Sequence, residues 1–338
     1  MQTNGTANGV HRPFPALTAA QRYHLDVYGY VVVENTLTEN EVGTLREALQ
    51  KLKRDCIATG DPANATVRNA RVSVYKPHHI HFAHVMESDP AILDYLAHPR
   101  LVAMAEELVG GSVRIEESEA IINSRDPNAD PHAPATYGFH TGTRPQYGTY
   151  TENGLYHCNF VKTLTNLTDL GPDDGGTVVI AGSHKVQCDE RDIIACAYEE
   201  PSLIHQVIAP AGSTLLFGEA LIHATGRIRS DRERVIIIGG YTPPMFQAWN
   251  GQERRADLWR KRRKRCDRSS LAAIVGSGNV VSPRYQCRWV KQTLSSGDRA
   301  RQAARTPRPL NTRGAGLHTG RSVSHDQMLM GVDTRRKR

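Results

Sequence analysis

The chain has no apolar run near the 18 or so residues a membrane helix needs, and no charged-then-apolar start of the kind that marks a secretory leader. These absences lead to the expectation of a soluble, cytoplasmic protein with no membrane partner. Its six cysteines, at 56, 158, 188, 196, 266 and 287, form no Cys-x-x-Cys pair and have no zinc-type spacing. That argues against a dithiol redox site or a zinc module and predicts free, buried thiols. No internal repeat is present, which excludes a solenoid. At 338 residues the length admits either one large β domain with helical decoration or two smaller domains.

The net charge of +7 is unevenly placed. Residues 253–338 carry 22 Lys and Arg against 6 Asp and Glu, whereas residues 1–252 carry 20 against 29. Arg260-Lys261-Arg262-Arg263-Lys264-Arg265 and the closing Arg335-Arg336-Lys337-Arg338 account for much of that basicity. Such a segment, rich in Ser, Gly, Arg and Pro, reads as a solvated, partly disordered extension in preference to a nucleic-acid arm. The expected organisation is a flexible start over 1–16, a catalytic domain over 17–252 and a basic extension over 253–338.

Hydrophobic patterning places helices first and strands after. Thr18 with Gln21, and Thr38 with Glu41, have capping spacing ahead of apolar periodicity, which predicts a helix from each, the second running to about Asp55. Residues 90–109 read as two helices broken at His98-Pro99. From Ser112 the period shortens, with strands expected at 112–123, 155–169, 176–181, 205–209, 213–217 and 233–242. Many short strands after N-terminal helices imply a mainly β fold, a double-stranded β-helix or jelly roll of cupin-like shape, whose narrow end holds a metal and a small ligand.

The decisive absence is a carboxylate. A non-haem Fe(II) site uses two histidines and one Asp or Glu, and here His140-Thr141-Gly142 and the downstream His223 supply the imidazoles with glycine where the acid would stand. An anion from solution, chloride, would take the vacated position. The sole His-x-Asp of the chain, His24-Leu25-Asp26, precedes the first strand and reads as helix surface. Arg234, shortly after His223, has the planar fork that grips a carboxylate. A short hairpin from His223 to Arg234 would put both at one barrel mouth.

These residues, with Gly29-Tyr30-Val31-Val32-Val33 and Gly182-Ser183-His184-Lys185, resemble the phytanoyl-CoA dioxygenase family over roughly Leu17 to Pro244. The resemblance implies Fe(II), 2-oxoglutarate and O2 as cofactors, His140 and His223 as metal ligands, and Arg234 as the anchor of 2-oxoglutarate. Gly142 departs from the family's hydroxylases and matches its free-standing halogenases, which adds chloride to the expected set. Asn123 is either an amide against 2-oxoglutarate or a strand-end cap. The mouth residues Arg144, Tyr147, His157 and Arg227 are the substrate candidates, with His157 more at home in a pocket wall or the core than on a metal. Resemblance to nucleotide halogenases suggests 2'-deoxyadenosine monophosphate as substrate, with no carrier protein. A phytanoyl-type hydroxylase whose third ligand is water or a carboxylate from elsewhere, and an idle jelly-roll binding protein with a nucleic-acid-binding tail, remain as alternatives. His78, His79, His81 and His84 read as a substrate lid or a surface loop, and His184 as structural.

Overall fold

The computed structural model describes residues 16–246, apart from 64, 131 and 132, together with a short strand pair at 275–276 and 279–280. The expected N-terminal segment 1–16 falls almost wholly outside the described residues. So does the basic extension 253–338, except for that strand pair.

In chain order the elements are α1 (Ala19–Tyr28), β1 (Tyr30–Val33), α2 (Glu39–Ile57), β2 (Thr66–Val67), β3 (Ala70–Lys76), β4 (His79–Ala83), α3 (Pro90–Leu96), α4 (Pro99–Val109) and β5 (Arg114–Asn123). There follow α5 (Pro145–Gly148), β6 (Thr149–Glu152), β7 (Leu155–Cys158), β8 (Val161–Asn166), β9 (Val178–Ile180), α6 (Glu190–Glu199), β10 (Ile204–Gln206), β11 (Thr214–Gly218), β12 (His223–Ala224), β13 (Arg234–Thr242), β14 (Val275–Gly276) and β15 (Asn279–Val280). Eight strands make one antiparallel sheet in the order β1-β11-β8-β13-β5-β4-β3-β2, and β10-β9-β12 make a second. This is the mainly β, jelly-roll architecture that the strand pattern implied.

Local chemistry sets the helix ends. Thr18 and Thr38 each accept from the backbone N–H three residues on, while Gln21 and Glu41 reach back to the cap, completing both capping boxes. Asp89 and His98 cap α3 and α4, each with proline in the first turn, so the break falls at His98-Pro99. The segment expected as one strand over 155–169 is two, β7 and β8, which lie in different sheets.

β13 shows how the sheet is held. Val235 and Ile237 join the cluster formed by Leu45, Leu49 and Leu52 of α2 with Leu96, Leu101 and Met104 of α3 and α4. Ile236 and Ile238, one residue out of phase, pack with Leu164, Phe217 and Val179. A strand covered on both faces is apolar throughout, and each buried aliphatic side chain contributes about 1.5–3 kcal/mol over its exposed state. The side of Ile236 and Ile238 is also the side of Arg234, which has the same parity.

Among the described residues no helix is long and apolar enough to cross a membrane. Cys56, Cys158, Cys188 and Cys196 are free, but only the first two are buried. Cys188 and Cys196 lie exposed, before and on the amphipathic helix α6 that the strand pattern passed over.

His184 is fully buried, with its ring against Tyr156 and against the turn at Gly29, where φ is +86°. Burial, helped by the charge of Lys185, pushes its imidazole down to about 4, against about 6.5 in an unfolded chain. Between these values the unfolded chain takes up a proton that the folded chain refuses. This contribution to stability is therefore complete above about pH 6.5 and is lost as the pH falls toward 4. Calorimetry should show Tm falling from pH 7 to pH 5, with a shallower fall in His184→Leu. An identical slope in the variant would remove His184 as a cause.

Candidate active site

Two local features put the histidines side by side. Residue 140 forms an isolated antiparallel bridge with 223, each N–H donating to the other's carbonyl at 3.0 Å. The ring centroids are 4.4 Å apart. The Nδ1 of His140 is 3.0 Å from the Gly138 carbonyl, and that of His223 is 2.9 Å from the Leu221 carbonyl. A carbonyl only accepts, so both Nδ1 atoms carry the proton and both Nε2 lone pairs are left for a metal. Burial pushes His223 down to about 4, more than offsetting the nearby Glu219, and so keeps the imidazole neutral as a ligand must be.

Arg234 does not share a hairpin with His223 as the spacing suggested. His223 opens β12 and pairs with Val179 of β9 in the small sheet, whereas Arg234 opens β13 and pairs with Asn123 of β5 in the large one. The two meet because both sheets line one cavity of about 450 Å³, shared with His140 and Gly142. The Arg234 guanidinium is wholly buried. One Nη donates to Asn123 Oδ1 at 3.4 Å, the other to Thr177 Oγ1 at 3.1 Å, and Nε has no partner. No carboxylate lies within ion-pair distance of it among the described residues. Burial brings it down only to about 10, so it remains a cation in need of an anion. Asn123 thus holds the guanidinium in place from the neighbouring strand.

The cavity wall also holds residues that the sequence did not single out. Along β5, Glu117, Glu119 and Ile121 alternate into it, with Glu116 beside them. Lys162 of β8 is paired with Glu117, and its Nζ is 3.2 Å from Glu219 Oε1. Position 240 of β13 stands between 162 and 117 in register, and because it is glycine the two side chains meet across three strands. Lys162 is raised despite its burial, because Glu219, Glu117 and Glu119 surround it. Glu117 is pushed up, mainly by burial and further by Glu119. Glu119 is held down because His81, 3.1 Å away, and Lys162 outweigh its own burial.

His79 and His81 belong to β4, a strand and not a loop, and both line the cavity. The proposed mouth residues lie elsewhere. Arg144 and Tyr147 are exposed and off the cavity wall. Arg227 donates to the carbonyls of Asp130 and Ala133. His157 is buried beneath α4, its Nδ1 3.1 Å from the Leu108 carbonyl and its ring stacked on Tyr150. His24 and Asp26 stay on α1, where Asp26 accepts from the Tyr156 N–H at 2.7 Å. The alternating acids of β5 were the available signal for the acidic wall, and a glutamate four residues before His223 was the signal for Glu219.

Residues 25–236 match the family model described as phytanoyl-CoA dioxygenase. A comparison with curated proteins gave no match. Among solved structures the chain is similar to HygX from Streptomyces hygroscopicus with nickel and 2-oxoglutarate bound, at 22% identity and TM-score 0.56, covering 72% of this chain and 94% of that one. It is also similar to EctD from S. alaskensis with 2-oxoglutarate and 5-hydroxyectoine, at 20% identity and TM-score 0.51, covering 67% and 76%. At these identities the structural likeness speaks for the fold.

Proposed function

The chain belongs to the phytanoyl-CoA dioxygenase family, and on that footing we propose that it is an Fe(II)- and 2-oxoglutarate-dependent oxygenase acting on a C–H bond of a small, amine-bearing molecule. The observation that carries the reading is Arg234: a fully buried guanidinium without an acidic partner among the described residues, in the same cavity as two imidazoles whose Nε2 atoms are free. His140 and His223 would hold the metal, and Arg234 would bind the distal carboxylate of 2-oxoglutarate through two parallel hydrogen bonds. The bound iron supplies activation of O2. One oxygen atom goes to 2-oxoglutarate, which becomes succinate and CO2, and the other enters the substrate as hydroxyl.

The wall chemistry supports the substrate class. One lysine serves both Glu117 and Glu219, Arg114 is paired with Glu116, and Glu119 is paired with His81. Carboxylate is in excess, so a protonated amine is favoured and a phosphate is repelled. A nucleotide such as 2'-deoxyadenosine monophosphate would need cations at its phosphate, and Arg144 and Arg227 do not line this cavity.

Halogenation is the second reading, and Gly142 itself favours it, because no side chain from that position reaches the metal. Chloride would then enter the product, with succinate, CO2 and water formed. A single experiment separates these outcomes. Anaerobic protein with Fe(II) and 2-oxoglutarate is given aminosugars, amino acids or nucleotides, then exposed to air with and without chloride, and succinate and product masses are recorded. Succinate stimulated by amines, with a product one oxygen heavier, is the expected result. A chlorine isotope pair would establish the second reading, stimulation by nucleotides alone would overturn the substrate class, and no iron-dependent succinate with any of them would overturn the oxygenase.

A further inference from the structure

We propose that Glu219 supplies to the metal the carboxylate that position 142 lacks, so that the third protein donor comes from across the site and not from the His-x-Gly turn. The proposal rests on the reading of His140 and His223 as imidazole donors, and it assigns the residue that decides what else reaches the iron.

The backbone argument comes first. The pairing that joins 140 to 223 continues outward, with the N–H groups of Gly142 and Thr143 both donating to the Glu219 carbonyl, at 3.0 and 3.2 Å. The N–H of Glu219 in turn donates to the Phe160 carbonyl at 3.0 Å. Residue 219 is thus pinned on both sides, directly opposite residue 142. Its side chain is buried, with the residue only 4% exposed, and it lines the cavity shared by the two histidines.

The side-chain argument is sharper. A Cβ built on Gly142 would overlap Glu219 Oε2, and it would stand 2.8 Å from Cδ and 3.3 Å from Cγ. The space into which an aspartate at 142 would grow already contains a carboxylate. Glycine and glutamate are therefore complementary: any larger residue at 142 would force the Glu219 carboxylate to shift from where it stands. A chloride at the same place would lie against that carboxylate, and like charges in contact repel.

Glu219 shares its one cation with Glu117, so the carboxylate is only partly compensated. A divalent ion beside it would repay the burial that Lys162 repays in part. With the carboxylate resting on Lys162, no three His, Cys, Asp or Glu side chains among the described residues make a ready metal group. Loading therefore requires Glu219 to turn about its side-chain bonds from Lys162 to the metal, leaving Lys162 with Glu117. Glutamate, one methylene longer than aspartate, has the extra torsion for that exchange.

The alternative is that Glu219 is only the ion-pair partner of Lys162, and metal affinity distinguishes the two. Fe(II) is titrated anaerobically, with 2-oxoglutarate present, into the wild type, Glu219→Gln, Glu219→Ala and the double variant Gly142→Asp/Glu219→Ala. The visible charge-transfer band of the Fe(II)–2-oxo acid complex is followed, and circular dichroism checks the fold. Both single variants should weaken Fe(II) binding by at least 10-fold, and the double variant should regain most of it. Chloride should leave the wild-type band in place and shift it in Glu219→Ala. Wild-type-like Fe(II) affinity in a folded Glu219→Gln or Glu219→Ala, or a chloride shift in the wild type, overturns the proposal while leaving the oxygenase reading intact. Absence of the band in the wild type overturns the oxygenase reading itself.

Discussion

Arg234→Met is expected to abolish 2-oxoglutarate-dependent turnover while leaving the fold as stable as before or more so. The two halves of this result have one cause. The guanidinium is fully buried, its Nε has no partner, and two side-chain oxygens at 3.4 and 3.1 Å are its only hydrogen-bond acceptors among the described residues. Desolvation of an unpaired cation is a cost to folding, and an apolar side chain of similar length removes it. When 2-oxoglutarate is present the same cation becomes one half of a buried, hydrogen-bonded charge pair, whose truncation costs about 2–5 kcal/mol. That corresponds to roughly 30- to 4000-fold in Kd for 2-oxoglutarate. Arg234→Lys should fall between, because an ammonium keeps the charge and loses the planar fork. Calorimetric titration with 2-oxoglutarate and a thermal melt on the same samples provide the check. A variant that binds 2-oxoglutarate like the wild type would dissociate Arg234 from the cosubstrate, and a large drop in Tm would make it a structural residue.

Arg234 stood out in the sequence through its place shortly after His223, the planar carboxylate-gripping fork of its side chain and the family resemblance. The capping boxes at Thr18 and Thr38 and the break at His98-Pro99 were legible for a local reason, since each is decided within one helical turn. What could not be read was anything that depends on strands distant in the chain. His223 and Arg234 looked like the two ends of a hairpin, yet β12 belongs to the small sheet and β13 to the large one, so the two residues meet at the cavity without their strands pairing. The acids at 116, 117 and 119 resemble a solvated strand edge until β4 and β13 are laid on either side of them. Gly142 stood out in the sequence as a glycine where a carboxylate is expected. What lies opposite it is set by the pairing of residues 140–143 with 219–223, which no local pattern announces. The loop residues Arg144, Tyr147 and Arg227 drew attention through their chemistry alone, and chemistry without a position does not make a pocket.

His223→Ala is expected to weaken Fe(II) binding by at least about 100-fold, the upper range for losing even an outer partner of a metal ligand, and His140→Ala should match it. The instructive comparison is His157→Ala. His157 is as buried as His223 and also has its Nδ1 on a backbone carbonyl, so the two look alike by residue type and by burial. They differ in where the remaining nitrogen can act: His223 lines the cavity beside His140, whereas His157 lies stacked on Tyr150 under α4. Removing the His157 ring should therefore cost stability, about 2–4 kcal/mol for a buried hydrogen-bonded side chain, and leave Fe(II) affinity within a few-fold of the wild type. Metal titration and chemical denaturation of the three variants separate the roles: affinity falls at 140 and 223, whereas at 157 stability falls with affinity kept. If His157→Ala lost the metal while His140→Ala retained it, the site would have to be rebuilt around the other face of β7.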